Sequence, residues 1–163
     1  MKDVTTTRTL SGHLGKDTDT ISGVGLLDEA NAFIGLARVF AKDVKTKNIL
    51  EDIQKQIFEA GAEFAGGNQF PEENYHKIMD TISQLEKKVE KPTKLIILEQ
   101  NEQTGFLSVA RAVVRRCERQ AVKLHKQNEL SLNLVEWLNK LSYLLYLLIL
   151  LEMDEPEVDK DES

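Results

Sequence analysis

The sequence contains a single cysteine, Cys117, so no disulfide can form within the chain. Low cysteine usage is typical of proteins from reducing compartments. Cys117 lies in an apolar stripe, which predicts a small buried side chain and argues against a thiol activated by the neighbouring arginines. The N-terminus lacks the basic, apolar and small-residue pattern of a secretory signal. We therefore expect a cytoplasmic protein.

Long hydrophobic runs are also lacking. The apolar run from Leu141 to Leu151 is about half as long as the roughly 20 residues that a membrane-spanning helix requires. The polar residues Asn139 and Lys140 precede it. The run therefore predicts a helix buried inside the protein, and we expect no membrane association.

The usual nucleotide-binding and metal-binding motifs are absent. The sequence has no G-x-x-x-x-G-K-S/T loop and no G-x-G-x-x-G after a strand. A di-metal helical bundle needs two Glu-x-x-His pairs, but only Glu73 and His76 have that spacing, so we interpret them as solvated. The run from Gly15 to Thr20 lacks the glycine and distal glutamate of a calcium loop. The net charge of −6 argues against general nucleic-acid binding.

Helical periodicity accounts for most of the chain from Leu26 onward. The patterns predict five helices in an all-α bundle; they cover about 26–40, 47–65, 71–89, 103–125 and 132–152. Residues 1–24 have little periodicity and are expected to form a loop before the bundle domain of residues 25–152, and the acidic segment 153–163 is expected to be disordered.

Three details of this prediction depend on the helix boundaries. Asp28 would lie in a first turn, where the helix dipole alone could explain it. Leu95 to Leu98 would form a short, buried apolar connection. The last helix is apolar almost all round, so it must be covered on several sides, either by the bundle or by a partner subunit.

The segment A-R-A-V-V-R-R-C-E-R-Q, from Ala110 to Gln120, combines a core stripe with a charged face. Arg111, Arg115 and Glu118 are spaced i, i+4 and i+7, which places them on one side of a helix. Guanidinium groups keep their charge and offer planar donors to phosphate or carboxylate. The segment therefore indicates a site for a small anion, with a solvated arginine-rich surface as the alternative.

Three blocks together resemble the PduO-type ATP:cob(I)alamin adenosyltransferases. G-L-L-D-E-A-N-A-F-I-G-L-A, from Gly25 to Ala37, is similar to that family's G-T-V-D-E-L-N-S-F-I-G-L-A. A-R-A-V-V-R-R-C-E-R is similar to its C/A-R-A-V-C-R-R-A-E-R, and E-W-L-N-K-L-S, from Glu136 to Ser142, matches its F-L-N-R-L-S. The gap between the second and third blocks also equals that of the family.

The resemblance implies a ferritin-like, up-and-down five-helix bundle that forms a homotrimer with active sites between subunits. It implies transfer of the 5'-deoxyadenosyl group of ATP to the cobalt of cob(I)alamin, with Mg²⁺ carried by ATP and no metal ligand from the protein. Asp28 and Arg111 would pair across the site. The residues that would contact ATP are Thr7, Arg8, Gly12, Lys16, Arg115, Arg116, Glu118, Arg119 and Asn139.

The chain departs from the family pattern at three places, which leaves a second interpretation open. The family's S-D-Y-L-F after the asparagine is S-Y-L-L-Y here, from Ser142 to Tyr146, which lacks the acid. The segment from Thr7 to Gly12 is similar to a shortened T-K-T-G-D-x-G-x-T loop, and a gapless alignment would instead use Thr6 and Thr7. Leu95 stands where the family has an aromatic residue. A non-catalytic relative that binds a nucleotide or a corrinoid as a sensor or carrier is the alternative function. A purely structural bundle would have little reason to keep Asn139, which we expect on the buried side.

Overall fold

The computed structural model describes residues 5–9, 12–15 and 18–153. Within them, the chain forms a short β-hairpin followed by a bundle of five helices. The hairpin strands are β1 (Thr6–Thr9) and β2 (Gly12–Gly15), and the helices are α1 (Asp19–Phe40), α2 (Val44–Phe64), α3 (Glu72–Glu86), α4 (Glu102–Lys126) and α5 (Leu132–Glu152). The predicted all-α, five-helix fold is confirmed, and the hairpin is a local addition to it.

The bundle is built around α4 and α5. α4 packs against both α1 and α5, while α2 packs on α1 and α3 packs on α5. The leucine-rich face of α5 supplies much of the core, in which Trp137, Leu141, Leu144, Leu145 and Leu148 are fully buried. Burying such side chains is the main favourable contribution to folding, at about 1.5 to 3 kcal/mol each. The prediction that the last helix is covered on several sides is therefore met within one chain.

The length of α5 does not exclude a membrane span, contrary to the prediction. In the described part of the chain, α5 is one helix of 21 residues that is long and apolar enough to cross a bilayer by those criteria alone. Half of its apolar window is buried inside the protein, as in the core helix of a soluble protein. Burial against α3 and α4, and not the length of the leucine run, is what argues for a core helix.

The first helix begins earlier than predicted, at Asp19 instead of Leu26. Thr18 caps it, because its Oγ1 accepts a hydrogen bond from the backbone N–H of Ile21 at 3.3 Å. The boundary between the N-terminal segment and the bundle therefore falls before residue 19. Asp28 lies in the middle of α1, where the dipole of the first turn does not act, so the helix-dipole explanation for this residue is wrong.

The α3 region also differs from its prediction. Pro71 is the N-cap of α3 and not its first helical residue, and Val89 lies beyond the end of the helix. Asn74, only 2% exposed, replaces Tyr75 on the buried face. The segment Leu95–Leu98 was expected to be buried, but Leu95 is fully exposed and Ile97 is 75% exposed, because Leu98 is the residue of this segment that packs against the core. The predicted disordered tail lies, from residue 154 onward, outside the described residues.

Candidate functional site

The arginines of α4 fall into two groups. Arg116 is paired, because its Nη2 donates hydrogen bonds to both carboxylate oxygens of Glu29 on α1, each at 3.2 Å. Arg115 and Arg119 are exposed, and no described carboxylate lies within 4 Å of either guanidinium. Two adjacent guanidinium groups without a carboxylate partner make a surface that favours a bound anion.

Asn139 and Glu118 form one edge of this surface. The Nδ2 of Asn139 on α5 donates to Oε1 of Glu118 on α4 at 3.0 Å. Asn139 is exposed, so the expectation that it lies on the buried side is wrong. Its contact with Glu118 nevertheless brings two of the predicted site residues together beside Arg115, which is spaced three residues before Glu118 on the same helix.

Arg111 lies on the α5 side of α4. Its guanidinium carbon is 5.4 Å from the centre of the Tyr146 ring, a distance at which a cation is attracted by the ring. Its Nε is buried and has no hydrogen-bond partner in the described part of the chain. A buried donor without a partner costs free energy, so an acceptor from outside the described residues would stabilise Arg111.

Asp28 lies in a different place, in a groove under the hairpin. The groove has a volume of about 550 Å³ and is lined by Thr7, Arg8, Ile21, Val24, Gly25, Asp28 and Ala65. Thr7 and Arg8 reach it from β1, which pairs antiparallel with β2. Gly12 has a φ of 121°, which glycine adopts without steric cost and which allows β2 to start there. Lys16 lies outside the described residues.

Asp28 and Arg111 do not pair within one chain. Glu29, the next residue after Asp28, contacts Arg116 and so faces α4. Successive helical residues differ by about 100° around the axis, so Asp28 faces away from that contact, towards the hairpin. Arg111 lies on the opposite side of α4, against Tyr146. The structure thus contains two separate partial sites: the hairpin groove with Asp28, and the α4–α5 surface with the unpaired arginines.

Two residues of these partial sites were missed by sequence reasoning. Glu29 directly follows Asp28 in the first block, where it could have been read as the partner of an arginine on α4. Tyr146 comes seven residues after Asn139, a spacing that places both on one helix face.

In the described part of the chain, no group of three or more His, Cys, Asp or Glu side chains could hold a metal ion.

The fold and the candidate site together define a helical-bundle protein with an exposed arginine surface and a groove under a hairpin. The family model for cobalamin adenosyltransferase matches residues 1–152, and the chain belongs to that family. It is 32% identical over 155 residues to the corrinoid adenosyltransferase PduO of Salmonella typhimurium, covering 90% of this chain and 46% of the relative. It is 28% identical to the corrinoid adenosyltransferase of Bacillus subtilis, covering 82% of this chain and 74% of the relative. The chain thus spans about half the length of the Salmonella protein.

Solved structures with the same fold come from Lactobacillus reuteri. A variant PduO-type ATP:corrinoid adenosyltransferase in complex with cobalamin and ATP has a TM-score of 0.80 at 24% identity, covering 90% of this chain and 87% of that one. Another variant, in complex with ATP, has a TM-score of 0.79 at 23% identity, covering 90% and 88%. At this level of identity the similarity establishes the bundle fold and does not assign individual residues.

Proposed function

We propose that this protein is an ATP:cob(I)alamin adenosyltransferase, which transfers the 5'-deoxyadenosyl group of ATP to cobalt and leaves triphosphate. Family membership supports the reaction class. The observation that carries the proposal is the pair of exposed guanidinium groups at Arg115 and Arg119, next to the Asn139–Glu118 contact. A leaving triphosphate gains negative charge, which fixed guanidinium groups stabilise.

The residues have separable roles in this reaction. Arg115 and Arg119 bind the triphosphate, and Asn139, oriented by Glu118, adds an amide donor. Arg116 acts beside them while it remains paired with Glu29. Thr7, Arg8, Gly12 and Lys16 belong to the segment that covers the nucleotide. The reduced cobalt is the nucleophile, so no protein nucleophile or general base is required. Mg²⁺ is bound through the phosphate oxygens of ATP, which suits its preference for phosphate and water ligands.

The two partial sites are joined when copies of the chain associate into a homotrimer. In that assembly Asp28 of one subunit pairs with Arg111 of the partner subunit, whose buried Nε lacks an acceptor among the described residues of its own chain. Exposed apolar side chains on α1 and α4 support such a contact; they are Leu36, Val39, Phe40 and Val109. The rings of Phe40 and Phe106 lie 5.4 Å apart and extend this surface.

The remaining assignments follow from composition. The net charge of −6 is unfavourable for nucleic acid and for anionic membrane surfaces, so the partners are small molecules and other copies of the chain. A single buried cysteine is consistent with a cytoplasmic location.

A second candidate function is supported by one specific observation. Leu95 is fully exposed in the connection before α4, and it stands where the family has an aromatic residue. A chain that binds ATP or a corrinoid without turnover, as a sensor or carrier, remains compatible with this change.

One experiment distinguishes the two functions. Purified protein is mixed with ATP, Mg²⁺ and chemically reduced cobalamin, and adenosylcobalamin is followed by its absorption spectrum, while ATP binding is measured by calorimetry. We expect turnover that Arg115→Ala reduces at least tenfold, as for the loss of a charged contact to a transition state. Lys55→Ala is the control, because this exposed lysine of α2 pairs with Glu51 on the same helix at 3.0 Å. ATP binding without product would support the sensor or carrier. Absence of product together with equal ATP binding by wild type and Arg115→Ala would exclude the proposed transferase site.

A further inference from the structure

One described connection between the hairpin and the bundle is at the start of α1. In the described residues, β1 and β2 pair with each other, and neither packs extensively on a helix. The backbone N–H of Thr18 donates to the carbonyl of Gly15 at 3.2 Å, which connects the end of β2 directly to the cap of α1. The way in which the first turn of α1 is held therefore contributes to the orientation of the hairpin.

Two side chains of α4 hold that turn. Lys123 Nζ lies 2.7 Å from Oδ2 of Asp19, the first residue of α1. Gln120 Nε2 donates to the backbone carbonyl of the same Asp19 at 3.0 Å. Because the amide contacts the main chain and the ammonium contacts the side chain, the two interactions constrain both the position and the rotation of the first turn.

The same helix carries the arginines of the proposed site. Gln120 directly follows Arg119, and Lys123 lies one turn beyond it. Two neighbours lower the pKa of the Asp19 carboxyl. The hydrogen bond from Lys123 has the larger effect, and Gln120 acts in the same direction. Asp19 and Lys123 side chains are 43% and 55% exposed, so solvent screens the pair and its contribution to overall stability is small.

We propose that Lys123 and Gln120 are positioning residues, which hold the first turn of α1 on α4 and thereby set where the hairpin presents Thr7 and Arg8 to ATP. The inference rests on the proposed adenosyltransferase function for its effect on ATP. Neither residue contacts the substrate. Their loss releases the hairpin, so it weakens ATP binding while the arginine surface and the chemical step are retained.

The test compares Lys123→Met with a matched control, Lys77→Met. Lys77 forms an ion pair with Glu73 at 2.8 Å, with side chains 58% and 70% exposed, but it lies on α3, away from the hairpin. We expect Lys123→Met to raise the KM for ATP about two- to fivefold with kcat unchanged, the range that exposed ion pairs support. Lys77→Met should leave the KM for ATP unchanged. Lys123→Arg, which keeps the charge, should have the KM of the wild type.

Hydrogen exchange gives a readout that does not depend on activity. Without ATP, Lys123→Met and Gln120→Leu should speed amide exchange in residues 5–9 and 12–15, with thermal midpoints close to that of Lys77→Met. Unchanged exchange in the hairpin would overturn the positioning role, even in an active enzyme. If the wild type neither binds ATP nor forms product, the proposed function fails, and the exchange difference still decides whether Lys123 and Gln120 hold the hairpin.

Discussion

The guanidinium of Arg116 and the carboxylate of Glu29 form a pair between α4 and α1, with one nitrogen donating to both oxygens at 3.2 Å. Arg115, the preceding residue, has no such partner among the described carboxylates. Neighbouring arginines of one motif therefore differ in their contacts: Arg116 links two helices, whereas Arg115 has no described carboxylate partner to neutralise its charge.

This difference predicts unequal effects of the two alanine substitutions. Arg115→Ala should weaken ATP binding about tenfold or more, because it removes a charged donor from the anion surface. Arg116→Ala should weaken it less, because its guanidinium is already neutralised by Glu29. Calorimetric titration of each variant with ATP measures both effects. Equal losses would contradict the assignment, and Glu29→Gln should tighten ATP binding if Arg116 also reaches the phosphates.

Asp28→Asn should impair catalysis without affecting folding. Asp28 is exposed in the middle of α1 and forms no ion pair within the described chain, so its loss should change the free energy of unfolding by no more than about 0.5 kcal/mol. Turnover should fall at least tenfold if it pairs with Arg111 of the partner subunit. Urea denaturation and the adenosylation assay provide the two measurements, with Asp80→Asn on α3 as the control.

Light scattering of the wild type and of Asp28→Asn measures the mass of the assembly in solution. Wild type is expected to have the mass of a trimer. A stable wild-type monomer with full activity would contradict the joining of the two partial sites between subunits.

Gly23 is required by the packing of α1 on α2. A Cβ at this position would overlap the ring of Phe64, which is fully buried. Gly23→Ala should therefore lower the free energy of unfolding by about 1 to 3 kcal/mol, as overpacked cores do. Gly61→Ala is the control, since nothing lies within 4 Å of its added Cβ, and it should be neutral or stabilising.

A second substitution tests whether steric crowding causes the loss of stability in Gly23→Ala. Phe64→Leu should cost stability alone but recover part of the loss when combined with Gly23→Ala, because it removes the clashing ring atoms. Strictly additive losses in urea denaturation would argue against the steric explanation.

Cys117 should be inert in the folded protein. Burial raises the pKa of its thiol to about 12, and the charge of Glu118 acts in the same direction. The thiol pKa in the unfolded chain is lower. At a pH below that unfolded pKa, the thiol does not change the free energy of unfolding; as the pH rises from there towards 12, the thiol lowers it. A thiol reagent at pH 8 should label the urea-unfolded chain and leave the native protein unmodified. Rapid labelling of native protein would show that the thiol is accessible.

Helix content and the arginine surface followed from local patterns. Apolar spacing was sufficient for the five helices, because each helix must bury one continuous face whatever its neighbours are. Burial of Cys117 followed from the same spacing. The position of Arg111, Arg115 and Glu118 on one face is also a property of a single helix, so its prediction required no knowledge of the tertiary structure.

The tertiary structure decided what those local patterns left open. The start of α1 at Asp19 depends on the Thr18 cap and on Lys123 from a distant part of the chain, which no local period encodes. It also decided that Asp28 lies far from a helix start, that Leu95 is exposed and that Asn139 lies at the surface. Which of two adjacent arginines is free depends on the position of Glu29, 87 residues earlier in the chain. Sequence patterns alone predicted the five helices and their charged faces but not the hairpin or the start of α1, whereas the packing of α1 on α4 determined which charges remain available for a ligand.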